Sequence, residues 1–126
     1  MAGTTVLLVL ILGAVIAPNC LRARAGGQLT ACKSNLKNIG TAMEMYASDN
    51  GKHYPLTLGG ITPNYLKTLP TCSSAGKMTY TYIHSADMEC YTAWCTEKRH
   101  PGTRLAPGFP QYDSVNGLYE NAGQFR

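Results

Sequence analysis

No acidic side chain precedes Glu44, and no Lys or Arg precedes Arg22. The first 21 residues are therefore uncharged, and the only charges in the first third of the chain are those of Arg22, Arg24, Lys33 and Lys37. Charged residues make up only 14% of the chain, against about 25% in an ordinary globular protein. The formal net charge of +4 is spread out, with Lys98-Arg99-His100 as the one tight basic cluster. A scattered excess of that size does not call for a specific nucleic-acid partner, and a basic triplet in a polar stretch is read as a solvated loop. Phenylalanine is scarce at two residues, whereas tyrosine reaches eight. Tyr suits surfaces that are half apolar and half wet, at subunit contacts or on exposed strands.

Catalytic patterns are missing as well. No Ser-His-Asp order, paired-carboxylate setting or phosphate-cradling glycine loop stands out, and His53, His84 and His100 each sit beside turn residues. The expectation is a non-enzyme without a cofactor. There is no Cys-x-x-Cys, and Cys90 and Cys95 with His84 or His100 are poorly spaced for zinc. Five cysteines (Cys20, Cys32, Cys72, Cys90 and Cys95) in a small chain with an apolar beginning instead suggest an oxidising compartment and disulfides, with one thiol left over. Cys20, at the membrane end of the helix, is the expected odd one.

What is present begins with an apolar run over residues 6–17, closed by Pro18. Residues 1–17 as a helix would rise about 25 Å, slightly short of the roughly 30 Å hydrocarbon layer. A cleavable secretory signal is the rival reading, because Ala23-Arg24-Ala25 has small-x-small form. Against it stand the absence of basic residues ahead of the run and the arginines where a cleavage region is neutral. The residues that this half offers for burial in lipid or against other helices are Val6, Leu7, Leu8, Leu10, Ile11, Val15, Ile16 and Pro18.

Beyond Pro18, apolar residues recur at Leu29, Cys32, Leu36, Ile39, Met43 and Tyr46, the seam of an amphipathic helix packed on something. Gly26-Gly27 offers a place to bend, and Ser48-Asp49-Asn50-Gly51 a terminus with a left-handed glycine. Further on, Met78-Thr79-Tyr80-Thr81-Tyr82-Ile83 alternates as a half-buried strand. Residues 89–95 form a second, and His84-Ser85-Ala86-Asp87 is the turn of a hairpin. Alternation puts Tyr91, Ala93 and Cys95 on one face and Cys90, Thr92 and Trp94 on the other. Residues 97–108 read as a polar loop. Phe109-Pro110-Gln111-Tyr112 offers aromatics to the sheet, and Asp113-Ser114-Val115-Asn116-Gly117 reads as a turn rather than a calcium loop.

The segment Pro18-Asn19-Cys20-Leu21-Arg22-Ala23-Arg24-Ala25, followed by Leu29-Thr30-Ala31-Cys32-Lys33-Ser34-Asn35-Leu36-Lys37-Asn38-Ile39, resembles bacterial type IV pilins and the major pseudopilins of type II secretion. The likeness continues through Ala42-Met43-Glu44-Met45-Tyr46, Ser48-Asp49-Asn50-Gly51 and His53-Tyr54-Pro55. The resemblance implies an α+β lollipop: residues 1–25 as the membrane and filament-core half of a long helix, and 26–50 as its amphipathic half. Residues 51–77 become an αβ-loop and 78–126 a small antiparallel sheet with a loop-rich, disulfide-stapled end. It further implies a structural subunit that polymerises with itself through the helix, is held in the bacterial inner membrane beforehand, and is assembled by pilus or type II secretion machinery into an extracellular filament. The alternatives are a pseudopilin of a secretion system or a secreted, disulfide-stabilised binding module. By the same likeness the favoured disulfide is Cys72–Cys95, with Cys32–Cys90 as a second. Family members carry a leader ending in Gly and a glutamate as fifth mature residue. Here Gly3 precedes Thr4, and Thr5 stands where the acid would be; against the family pattern, the expectation is a misplaced start codon or a truncated gene rather than a pilin without that acid.

Overall fold

A computed structural model of the chain describes residues 2–96, 100 and 105–120. One helix, α1 (Ala2–Asp49), is followed by a single 3-10 turn (Leu58–Ile61) and four strands: β1 (Tyr80–His84), β2 (Tyr91–Cys95), β3 (Gln111–Asp113) and β4 (Gly117–Tyr119). The strands form one antiparallel meander in the order β1-β2-β3-β4. The class is α+β, as expected.

At about 1.5 Å per residue the 48 residues of α1 extend about 72 Å. Helical structure continues through Pro18, where the ring removes one backbone donor without ending the helix. It also continues through Gly26-Gly27. The far end is closed as the sequence predicts. Gly51 takes a positive φ of 67°, and Lys52 N–H reaches back to Ala47 O at 2.7 Å, the long-range bond of a Schellman-type cap.

The core lies between the second half of α1 and the sheet. Cys32, Leu36, Ile39 and Met43 are fully buried, whereas Leu29 and Tyr46 at the two ends of the seam are half-buried. The strand face that meets them is the one alternation selects: Tyr91, Ala93 and Cys95 are buried and Thr92 and Trp94 are not. From the loop between helix and sheet, Tyr54, Leu58, Ile61 and Cys72 close the core. The tyrosines turn out to serve the interior. Tyr54 packs edge-on against Tyr91 with ring centroids 4.6 Å apart, and Tyr91 also neighbours Tyr82 and Tyr112. Lys33 pairs with Glu120, bringing the helix to the end of β4.

Boundaries shift modestly from expectation. The first strand begins at Tyr80 rather than Met78 and takes in His84; the second begins at Tyr91, because Ser85 N–H bonds Cys90 O at 2.9 Å to close the hairpin first. Gln111-Tyr112 and Leu118-Tyr119, expected only as aromatics flanking a turn, are strands. Of the loop predicted over 97–108, Lys98, Arg99 and Pro101-Gly102 lie outside the described residues.

Candidate functional site

Two features remain once the core is assigned: an exposed apolar helix surface and a buried cluster of thiols.

Residues 3–24 of α1 are exposed along their whole length. Val6, Leu7, Leu8, Leu10, Ile11, Val15, Ile16 and Pro18 are all in this segment, with Val9, Leu12 and Leu21 beside them. Their exposure, 59% at Val6 and 65% at Leu10, is that of a helix with nothing packed around it. Ten large apolar side chains in one uncharged stretch far exceed the scattered hydrophobes of an ordinary surface. Burying them would stabilise the covered state by on the order of ten kcal/mol or more. This is the one described helix long and apolar enough to cross a membrane. Arg22 and Arg24 close the run on the side of the folded head, where long basic side chains can reach headgroups or water. Cys20 is exposed on the same segment.

The second feature is one that spacing along the chain concealed. Cys32 of α1, Cys72 of the loop, Cys95 at the end of β2 and His100 just beyond it offer ligand atoms that all lie within 4.8 Å of one another. The three cysteines are 0% exposed and His100 is 3% exposed. Each arrives by a different local rule. The apolar seam turns Cys32 inward; an isolated antiparallel bridge between Cys72 and Lys77 fixes the second; strand alternation points Cys95 to the core. Cys95 pairs in register with Tyr80, whose hydroxyl donates to Cys32 Sγ at 3.5 Å and accepts from Asn35 Nδ2 at 3.0 Å.

Hydroxyl groups surround the sulfurs. Ser74 Oγ lies 3.1 Å from Cys72 Sγ and 3.1 Å from His100 Nδ1, and Thr79 Oγ1 lies 3.2 Å from Cys95 Sγ. The Cys32 thiol is held well above the ordinary thiol range, first by its hydrogen bond with Cys95 and then by burial. Tyr80 is pushed up as well, chiefly by burial and then by its bond with Cys32.

No two of the five cysteines stand at disulfide distance in the structure. Cys72 and Cys95 are brought together, but with Cys32 and an imidazole rather than as an isolated pair. Cys32 and Cys90 are not brought together. Cys90 is exposed, and it stands five positions before Cys95, about 16 Å away along an extended chain. Cys32 instead sits at the Cys95 end of the sheet. Cys90 takes no part in the cluster; the informative pair is Cys95 and His100, with four residues between them, inside the range that paired ligands use. No family model, curated protein or solved structure matches the chain, so its function is read from the helix surface and the head packed on it.

Proposed function

We propose that the chain is a structural subunit of a type IV pilus-like helical filament, anchored in the bacterial inner membrane by the first half of α1 and polymerising with copies of itself through that same half. One observation carries the reading: residues 3–24 expose a continuous apolar surface, while the same helix from Cys32 to Ala47 buries one face against the sheet and the loop. A helix built to be covered along one half by its own head needs a second cover for the other half. Lipid supplies it in the membrane, and neighbouring helices supply it in a filament. The resemblance of about the first 70 residues to type IV pilins and major pseudopilins points to the same layout. The head then stands outside the apolar core and meets its neighbours through polar loops.

The test is cell fractionation followed by imaging. The full-length chain is expected in the membrane fraction, resistant to alkaline extraction. In a host with filament-assembly machinery it is expected in sheared surface material as helical fibres. A soluble monomer that has lost about its first 25 residues would overturn the proposal.

A further inference from the structure

We infer that Cys32, Cys72, Cys95 and His100 form a structural zinc site that fastens α1, the loop, the sheet and the segment after β2 to one another.

Four ligand atoms of the types zinc prefers converge from four separate parts of the chain, all buried and all within 4.8 Å of one another. Tetrahedral zinc with sulfur at about 2.3 Å and nitrogen at about 2.0–2.1 Å places its ligand atoms about 3.5–4 Å apart. The cluster needs to contract by no more than about 1 Å to match. A disulfide accounts for less of it: it joins two sulfurs at about 2.05 Å and leaves the third sulfur and the imidazole crowded beside the bond. Four protein ligands and no solvent-facing position describe a closed site, which is structural rather than catalytic.

Hydroxyl groups stand where metal-bound sulfurs would need donors. Each sulfur has one hydroxyl beside it: Tyr80 at Cys32, Ser74 at Cys72 and Thr79 at Cys95. Hydroxyl donors of this kind stabilise the negative sulfurs of a metal centre. Ser74 has a double part. With Cys72 held as a thiolate, the Ser74 hydroxyl would donate to Cys72 Sγ and accept from His100 Nδ1–H, which would leave the buried Nε2 to bind the metal. On zinc binding the three thiols each release a proton, and the site carries one net negative charge. No oxidant or reductant is required. Bound metal would also keep these thiols from oxidising in a compartment where free pairs form disulfides.

The full chain, purified in detergent and supplied with zinc, is expected to hold one zinc ion per chain by elemental analysis, with all five thiols reduced when counted after denaturation. Cobalt(II) in its place should give the intense visible bands of a tetrahedral ion together with near-ultraviolet thiolate-to-metal bands. Cys20→Ser and Cys90→Ser should keep that spectrum, whereas Cys95→Ser and His100→Ala should lose it. A ligand variant can fail to fold, so His100→Cys provides a second arm: it should retain the metal and raise the thiolate band by about a third, as a fourth sulfur joins three. Wild-type chain without stoichiometric metal, a Cys72–Cys95 disulfide in its mass spectrum, or a cobalt spectrum unmoved by both Cys95→Ser and His100→Ala would overturn the assignment.

Discussion

Gly40 on α1 and Tyr112 on β3 meet with no side chain between them: a Cβ at Gly40 would stand 2.5 Å from Cε1 of the ring and 2.7 Å from Cζ. Helix and sheet close on each other at this point because the helix presents bare backbone, and the Tyr91 hydroxyl also reaches Gly40 O at 3.4 Å.

Gly40→Val is therefore expected to destabilise the head by about 1–3 kcal/mol through overpacking. The contrasting change is Gly27→Ala, where a Cβ meets nothing within 4 Å. There the helix should gain up to about 1 kcal/mol in propensity. Thermal unfolding of the two variants in the same detergent checks the opposite signs.

Leu36 is fully buried at the centre of the seam. Leu36→Ala should cost about 2–5 kcal/mol as a cavity. Leu36→Asp, which places an unpaired charge in the same position, should uncouple helix from sheet and abolish stable accumulation. Undiminished protein on an immunoblot of the Asp variant would contradict this packing.

Alkaline titration should separate the tyrosines. Burial pushes Tyr82 up to about 12, and its hydroxyl donates to Pro55 O. Tyr54 is also raised, first by burial and then by its bonds to both carboxylate oxygens of Glu44 at 2.9 and 3.0 Å. Because the folded values exceed the ordinary 10.0, the fold favours the neutral phenols. That contribution is complete below pH 10 and is lost as pH rises through about 12. Tyrosinate absorbance should show a late-titrating group, and Glu44→Gln should move Tyr54 back towards its usual value.

The turn between β3 and β4 depends on Asp113. Its carboxylate accepts from Val115 N–H at 2.8 Å and from the backbone and side-chain N–H groups of Asn116. Partial burial raises its pKa, but these bonds outweigh burial and the net shift is downward. The sign follows: the contribution is present above the ordinary value of 3.8 and falls away as pH drops through the lower folded value. Asp113→Ala should cost about 1 kcal/mol near neutral pH, reduced by solvent access, and the difference from wild type should vanish in acid.

Ser74→Ala tests the support around the inferred zinc site without touching a ligand. Losing the hydroxyl that holds His100 Nδ1 should weaken zinc affinity about 10–100-fold in a chelator competition. Stoichiometry should stay at one per chain when the ion is in excess.

Local rules written in adjacent residues are legible in the sequence alone. The helix seam, its left-handed glycine terminus, the inward face of β2 and the Asp113 turn all come from periods of 3.6 or 2, or from a single turn residue. Three-residue strands such as Gln111–Asp113 and Gly117–Tyr119 are too short for alternation to show, so they read as flanks of a turn. The thiol cluster is harder still. Its members come from positions 32, 72, 95 and 100, and only the docking of helix, loop and sheet brings them together. Even so, each member could have been placed inward separately: Cys32 by the seam and Cys95 by the strand period. Gly40 gives no such signal, because a stripe of apolar side chains passes over a residue that has none.

Because α1 runs unbroken from residue 2 to residue 49, pulling on the first half loads the second half directly along covalent and helical bonds. Traction along a fibre of such subunits would pass from rod to rod and largely bypass the sheet. The outward loops of the head would then be free to drift in composition while the cable beneath them kept its strength.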